Sequence, residues 1–319
     1  MDLELLRERS RIIASIRSFF DRRNYLETDT PLLSPDLIPE SCLEVFETAR
    51  LPPPESRSRK PEPYWLIPSP EIWMKKLIAR HRVSMYQICK CFRNGESSGR
   101  FHSPEFTMLE YYTMDAGYKD SLIITEDLFA ELGIKVPFLK ITMEEAFSRW
   151  AGFSLCDAVK RGNLLDEAKR LGLDVHEGID IPTLYDLIFI HAVEQKIPRD
   201  MPVALMDYPA FVPCLAKKHT AGTVERWELY ANGIELANCY SEETDPAEVR
   251  CFFENEAAAK KKSALVNHQI DSDYWKIFSL ENSGSAFPRC SGVALGLDRL
   301  IMVLTGRSTI DGVLPFPMK

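Results

Sequence analysis

The chain is organised around one segment, residues 90–112, which reads KCFRNGESSGRFHSPEFTMLEYY. Residues on both sides of its Gly- and Ser-rich centre fall into two alternating sets, a period typical of sheet strands. We therefore predict two strands joined by a loop. Glu110 shares a face of the second strand with Phe106 and Met108, where a core residue is expected. Because an unpaired buried carboxylate is very costly, Glu110 predicts a cationic partner or ligand.

The loop itself carries several charges. Charged loop residues usually belong to a solvated turn, and residues 93–96, Arg-Asn-Gly-Glu, taken alone favour that interpretation. Arg93 at the loop entrance, however, offers a planar fork of donors that suits phosphate. The ring of Phe106 offers a stacking surface on the same hairpin.

The segment resembles the second signature motif of class II aminoacyl-tRNA synthetases, in the form found in lysyl-tRNA synthetases. The matching pieces are Phe92-Arg93-Asn94, Gly99-Arg100, His102 and Pro104 to Glu110. This resemblance implies ATP as a substrate. It also implies an α+β fold, the class II synthetase catalytic domain, in which helices flank an antiparallel sheet.

The resemblance also assigns roles to residues of the hairpin. Arg93 would hold the ATP α-phosphate and the amino-acid carboxylate, His102 would lie near the distal phosphates, and Phe106 would stack on adenine. The remaining hairpin residues that it implies are Asn94 and Glu96 for ATP, and Glu110 and Tyr112 for the amino acid.

Composition excludes several classes of protein. The 319 residues are 45% hydrophobic and 27% charged, which is ordinary for a globular protein. No apolar run reaches the roughly 18 residues of a membrane span, and the N-terminus lacks the apolar region of a signal peptide. We therefore expect a cytoplasmic protein with reduced thiols, in which Cys89 and Cys91 point to opposite faces of their strand. The net charge of −8 argues against broad nucleic-acid binding, so tRNA binding is not expected.

The N-terminal residues predict a helix and a strand. Apolar residues recur at three- and four-residue steps over residues 2–24, which indicates an amphipathic helix. Residues 25–33 then indicate an edge strand that contains Pro31. The pair resembles the first class II motif, which forms the dimer interface, and so implies a homodimer.

A second short strand and helix follow. Residues 64–69 indicate the strand, and Pro70 suits the first turn of the helix. Taken alone, Glu71 is a favourable anion near a helix N-terminus. Ser69-Pro70-Glu71 also resembles the segment of lysyl-tRNA synthetases that contacts the substrate amino group, so Ser69 and Glu71 become candidate substrate ligands.

Residues 118–200 are predicted to be mostly helical, with Thr142 and Glu145 as a capping box. Because no functional motif was found in this region, we interpret it as an insertion that covers the sheet. The whole chain, residues 1–319, is then a single catalytic domain without an anticodon-binding domain.

A hairpin around Asn232-Gly233 brings two acidic residues onto neighbouring strands. Glu228 and Glu235 are either two solvent-facing carboxylates or two hard oxygen ligands that share a Mg²⁺ ion. The following residues resemble the lysyl-synthetase segment that supplies metal and lysine ligands. The roles implied are Glu228, Glu235 and Leu236 for ATP, with Mg²⁺ on the two glutamates, and Asn238 and Glu242 for the substrate.

A strand that turns into an apolar helix, residues 291–304, resembles the third class II motif. It implies that Gly296 and Arg299 contact ATP and that Ala294 lines the substrate pocket. Without the resemblance, Asp298 and Arg299 could be a local ion pair at a helix start. Ala294 stands where lysyl-tRNA synthetases usually have glycine, which would shift the preference from α- to β-lysine.

Only about twenty residues precede the first motif, too few for the anticodon-binding barrel of lysyl-tRNA synthetases. The chain thus resembles their truncated paralogues, ligases that activate lysine, preferentially (R)-β-lysine, and transfer it to translation elongation factor P. Three alternatives stay open: a minimal synthetase that charges tRNA, an ammonia-dependent asparagine synthetase, and an inactive regulatory paralogue. The lysine-type pocket argues against the second, and the retained Arg93, Phe106, Glu235 and Arg299 argue against the third.

Overall fold

The computed structural model describes residues 3–56, 60–95, 99–220, 222–279 and 286–318. Its main sheet has eight strands in the order β1-β5-β6-β13-β12-β11-β8-β7. The strands of this sheet are β1 (Leu26–Glu27), β5 (Met85–Phe92), β6 (Glu105–Met114), β7 (Leu139–Thr142), β8 (Val203–Met206), β11 (Arg226–Ala231), β12 (Ile234–Ser241) and β13 (Cys290–Gly296). The strands of two smaller sheets are β2 (Leu33–Ser34), β3 (Glu47–Arg50) and β4 (Glu62–Leu66), and β9 (Lys218–Thr220) with β10 (Thr223–Val224).

The α-helices are α1 (Leu3–Asp21), α2 (Glu71–His81), α3 (Tyr118–Glu131), α4 (Met143–Ala146), α5 (Leu155–Arg161), α6 (Leu164–Arg170), α7 (Ile181–Ile188), α8 (Pro246–Ser263) and α9 (Leu297–Leu304). Helices α4 and α7 continue into π-helical turns, Phe147–Ala151 and Phe189–Val193. Short 3₁₀ turns lie at Pro54–Ser56, Glu194–Lys196, Tyr274–Phe278 and Ile310–Gly312. Within the described ranges, no helix is long and apolar enough to cross a membrane.

Helices pack on both faces of the sheet, and α4 to α7 form a further apolar cluster with residues of β7, β8 and β11. Helices α1, α3 and α9 pack on one face through a large apolar cluster in which Phe20 stacks on Tyr86 at 4.7 Å between ring centroids. Helices α2 and α8 pack on the other face, where Ile78 and Phe253 belong to a second cluster. This second face of the sheet, which α2 and α8 cover, carries Glu110 and Tyr112 of β6.

Strand register sets those polar residues in one row. Directly paired residues of neighbouring antiparallel strands point to the same side of a sheet. Glu110 pairs with Gln87 on one side and Ala294 on the other, Ala294 pairs with Asn238, and Asn238 pairs with Glu228. Five neighbouring strands therefore present one continuous line of side chains to the α2–α8 side.

The antiparallel prediction is confirmed for the six central strands, whereas the edge strands β1 and β7 run parallel to their neighbours. The sheet is therefore mixed. The expected capping box of Thr142 and Glu145 is present, and so is the Asn232-Gly233 hairpin turn, with φ of 54° and 72°.

Three expectations were wrong in detail. Residues 25–33 are not one strand, because the backbone leaves the sheet between β1 and β2. The segment 118–200 is not purely an inserted helical layer, since α3 belongs to the main core and β7 extends the main sheet. Cys89 and Cys91 lie on the same face of β5, with their Sγ atoms 3.8 Å apart, as the period of two requires.

Candidate active site

A cavity of about 390 Å³ opens on the polar face of the sheet. Predicted site residues line it: Glu71, Arg93, His102, Phe106, Glu228, Glu235, Leu236, Asn238, Ala294, Gly296 and Arg299. Five other predicted residues do not line this cavity: Ser69, Asn94, Glu110, Tyr112 and Glu242. Glu96 lies outside the described residues. Asn94 instead donates from its side chain to the backbone oxygen of Val45 at 3.3 Å and helps to hold the loop entrance.

Arg93 and Phe106 face one another at one end of the cavity. The guanidinium carbon of Arg93 lies 5.3 Å from the centroid of the Phe106 ring. The backbone amide of Arg93 donates to the carbonyl of Pro104 at 3.0 Å, which ties the end of β5 to the start of β6. The hairpin therefore holds a fork of donors beside an aromatic face, an arrangement that suits a nucleotide.

Arg299 supplies a second cation to the same end. Its Nη1 atom donates to the backbone oxygen of Glu235 at 2.9 Å, and its Nε atom donates to the carbonyl of Phe101 at 3.1 Å. Asp298 does not pair with Arg299. Its Oδ1 atom lies 2.6 Å from Nη1 of Arg9 on α1, and its Oδ2 atom accepts a hydrogen bond from the backbone amide of Thr107 at 2.6 Å. The alternative of a local Asp298–Arg299 ion pair is therefore wrong.

Glu228 and Glu235 both face the cavity from neighbouring strands. Burial, followed by the charge of Glu228, raises the pKa of Glu235 to about 7, although three nearby arginines oppose the rise. Among the described residues, no group of three or more His, Cys, Asp or Glu side chains could hold a metal ion. Two such carboxylates suit a hard divalent cation that takes its other oxygen ligands from phosphate or water.

Arg226 is a site residue that the sequence did not reveal. Its Nη2 atom lies 2.5 Å from Oε1 of Glu228, and its Nε atom donates to Oδ1 of Asn238 at 3.2 Å. The guanidinium also lies 4.4 Å from the ring centroid of Tyr208. Arg226 therefore joins a predicted metal ligand to a predicted substrate ligand. A signal exists in the sequence, because residues 226 and 228 share a strand face.

Glu71 joins the cavity to a buried acidic pocket that is built around a lysine. Lys75 is 1% exposed, and its Nζ atom lies 2.6 Å from Oε1 of Glu71 and 2.6 Å from Oε2 of Glu242. Burial lowers the pKa of Lys75, but the two carboxylates together raise it well above its ordinary value. Lys75 was not predicted as a site residue from the sequence, although its spacing of four residues from Glu71 on a helix indicates an ion pair.

Glu110 lies in the same pocket and is almost fully buried. The hydroxyl of Tyr112 donates to its Oε1 atom at 2.7 Å, while Oε2 has no hydrogen-bond partner among the described residues. Burial, followed by the charge of Glu71, raises the pKa of Glu110 well above its ordinary value. A buried carboxyl oxygen without a partner is ready to receive a donor from a ligand.

The chain matches, over residues 3–319, the family model described as tRNA synthetases class II (D, K and N). Similar relatives include proteins named elongation factor P--(R)-beta-lysine ligase. The relative from Avibacterium paragallinarum is 36% identical over 99% of this chain and 96% of its own length. The corresponding values are 38%, 99% and 96% for Vibrio vulnificus (strain YJ016), and 34%, 98% and 95% for Pasteurella multocida (strain Pm70).

Proposed function

We propose a function from the premise that this chain belongs to the class II tRNA synthetase family (D, K and N), and within it to the group of elongation factor P--(R)-beta-lysine ligases. The protein uses ATP to activate (R)-β-lysine, or lysine, as an adenylate. It then transfers the lysyl group to a lysine side chain of translation elongation factor P. A translation factor as acceptor implies a cytoplasmic site of action.

The arrangement of charges along the cavity carries this proposal. Arg93 and Arg299 place positive charge at one end, which suits phosphates and a carboxylate. Glu71 lines the cavity and joins it to the buried acidic pocket that contains Glu110 and Glu242. Lysine has the matching distribution, with one carboxylate and two ammonium groups. A neutral or acidic amino acid would leave the unpartnered oxygen of Glu110 without a cation.

In the first half-reaction, the lysine carboxylate attacks the α-phosphorus of ATP in line and expels pyrophosphate. Arg93 and Arg299 offset the charge that develops on the transferred group. Asn238 and Ala294 shape the middle of the pocket. The candidates for the side-chain ammonium are Glu242 and Tyr112, and those for the other amine are Glu71 and Glu110.

Glu228 and Glu235 would hold Mg²⁺, because they are two carboxylates on one cavity wall and Glu235 keeps a raised pKa without a cation. When bound, the ion neutralises phosphate charge. We also propose that the whole chain is one catalytic domain and that it forms a homodimer through α1 and β1.

Competition between two acceptors tests the function. Purified enzyme is incubated with ATP, Mg²⁺, labelled (R)-β-lysine, elongation factor P and bulk tRNA in one reaction. We expect label on the factor, at a single lysine found by mass spectrometry, and none on tRNA. Arg93→Ala serves as the control that should label neither, because it cannot form the adenylate. Label on tRNA and none on the factor would overturn the proposal.

A further inference from the structure

One wall of the active-site cavity has no role in binding ATP or lysine as proposed above. It consists of a loop before β3 and one side of α8. The residues of this wall that line the cavity are Glu40, Cys42, Leu43, Phe252 and Glu256. It combines apolar side chains with two carboxylates, a composition that suits the apolar stem and charged tip of a lysine side chain.

The backbone on both sides of Glu40 is fixed to α8. The Nζ atom of Lys260 donates to the carbonyl oxygen of Glu40 at 2.9 Å and also to that of Leu43. The amide of Ser41 donates to Oε2 of Glu256 at 2.8 Å. These contacts hold the loop without using the carboxylate of Glu40, which makes no hydrogen bond or ion pair within the described part of the chain.

Glu40 is half-buried at the cavity wall, and charged groups from three elements surround it. Burial and the charge of Glu71 on α2 raise its pKa, Arg93 and Lys260 oppose that rise, and Glu256 adds to it. The result is a pKa of about 7. The Cys42 thiol, on the same loop, has its own pKa raised, chiefly by burial and then by the charge of Glu40.

We propose that this wall admits the acceptor lysine and that Glu40 is the catalytic base that takes a proton from its ε-ammonium. This inference rests on the proposed function and adds the residue that prepares the acceptor. Arg93 lies within the electrostatic reach of Glu40 and is the residue proposed to hold the group where the adenylate forms. Glu40 and Arg93 both line the cavity, so the proposed base and the proposed site of the adenylate share it.

The chemistry requires such a group because an ammonium has no lone pair. Glu40 removes one proton from the ε-ammonium, and the freed lone pair forms the C–N bond at the carbonyl carbon of the adenylate. The C–O bond to the phosphate then breaks, and its electron pair leaves with AMP. The nitrogen loses its second proton to AMP or to water, and Glu40 returns its proton to solvent. A carboxyl with a pKa near the working pH is well matched to this role.

The two half-reactions are measured separately in Glu40→Gln. ATP–pyrophosphate exchange with (R)-β-lysine reports adenylate formation, and single-turnover transfer to elongation factor P reports the second step. We expect the ratio of the transfer rate to the exchange rate to fall about 10²-fold or more. Glu47→Gln, which removes an exposed carboxylate on β3, is the matched control and should keep the wild-type ratio.

The pH profile of transfer separates a base from a merely structural residue. In the wild type, transfer should rise with pH and level off above about 7. In Glu40→Gln it should keep rising toward the ordinary lysine pKa of about 10.4, because only free amine then reacts. Glu40→Asp should restore part of the transfer rate.

Three results would count against the assignment. An unchanged ratio with the wild-type pH profile overturns the role of Glu40 alone. An equal loss of both half-reactions shows a structural residue and also overturns it. If the wild type labels tRNA and never labels the factor, the proposed function is wrong. The role of Glu40 as a base is then wrong as well, because no acceptor lysine reacts.

Discussion

The Nζ atom of Lys75 lies 2.6 Å from the Oε2 atom of Glu242, and both side chains are 2% exposed or less. The same ammonium contacts Glu71 at 2.6 Å. Each of the two carboxylates therefore has one oxygen on Lys75. Lys75 fixes the spacing of the two carboxylates that we propose as ligands of the substrate's ammonium groups, so it acts as a positioning residue.

Removing Lys75 should destabilise the protein and weaken lysine use together. In Lys75→Met, two buried carboxylates lose their counter-ion, and loss of one partner of a buried ion pair typically costs about 3–5 kcal/mol. The free energy of unfolding is measured with urea, and KM for lysine and for ATP by pyrophosphate exchange. We expect KM for lysine to rise much more than KM for ATP.

A second variant checks the cause. Lys75→Met combined with Glu242→Gln should be more stable than Lys75→Met alone, because one uncompensated charge is gone. Wild-type stability in Lys75→Met, or no recovery in the double variant, would show that the ion pair is not what holds this pocket.

The carboxylates of this pocket are easier to predict from the sequence than its cation, Lys75. Glu110 is recognisable because it breaks the apolar face of a strand. Lys75 is not, because a lysine on a helix is usually solvent-exposed, and only the packing of Met74 and Ile78 in the core against the sheet shows that this turn is buried. Glu40 lies in an irregular loop with no period to reveal which way it points.

Gly292 should not tolerate a side chain. A Cβ atom at this position would lie 2.5 Å from Oε1 of Glu242 and 2.5 Å from Cε1 of Tyr112, far inside van der Waals contact. Gly292→Ala should therefore displace both side chains and raise KM for lysine at least tenfold, a loss of about 1.4 kcal/mol in binding. Gly312→Ala, where a Cβ would have ordinary contacts of 3.6 Å or more, is the control. An unaffected KM in Gly292→Ala would contradict the proposed role of Glu242 and Tyr112.

Mg²⁺ binding should depend on pH through Glu235. Its pKa of about 7 means that the carboxyl is largely protonated below neutrality, whereas the metal requires the carboxylate. Mg²⁺ affinity should rise with pH through about 7 and then level off. Without metal, the raised pKa contributes stability at low pH that is lost as pH increases from the ordinary carboxyl range to about 7.

Calorimetric titrations of Mg²⁺ in buffers of different ionisation enthalpy measure the protons released. We expect release approaching one proton at about pH 6 and little at about pH 9. Glu235→Gln should abolish the binding, and a pH-independent affinity in the wild type would contradict the assignment of the metal to this pair.

Periodicity predicted β5 and β6 because these strands run over eight and ten residues. The edge strands are different. Strand β1 has only two residues and β7 has four, and their pairing depends on neighbours distant in the chain.

The homodimer is tested at the exposed face of α1. The inner face of this helix is fixed by the buried contact of Arg9 with Asp298, whereas Leu3 and Leu6 are 61% and 39% exposed. An exposed apolar strip of this kind is typical of an interface. We expect a dimer by light scattering at micromolar concentration and a monomer in the Leu3→Glu/Leu6→Glu variant. A monomeric wild type would contradict the proposal.

Ala294 should set the preference between α- and β-lysine. It pairs with Glu110 on β6 and with Asn238 on β12, and it lines the cavity, so its methyl group lies on the floor of the pocket between two proposed substrate ligands. The amine of β-lysine is one carbon further from the carboxylate than that of α-lysine. A change of one methyl group in such a pocket is worth about 1–3 kcal/mol, or roughly 10- to 200-fold.

Ala294→Gly should therefore raise kcat/KM for α-lysine relative to β-lysine by an amount in the lower part of that range, measured by pyrophosphate exchange with each substrate. KM for ATP should stay constant, because the residues proposed to bind adenine and phosphate are unchanged. A ratio that does not move would show that the methyl group of Ala294 does not contact the substrate backbone.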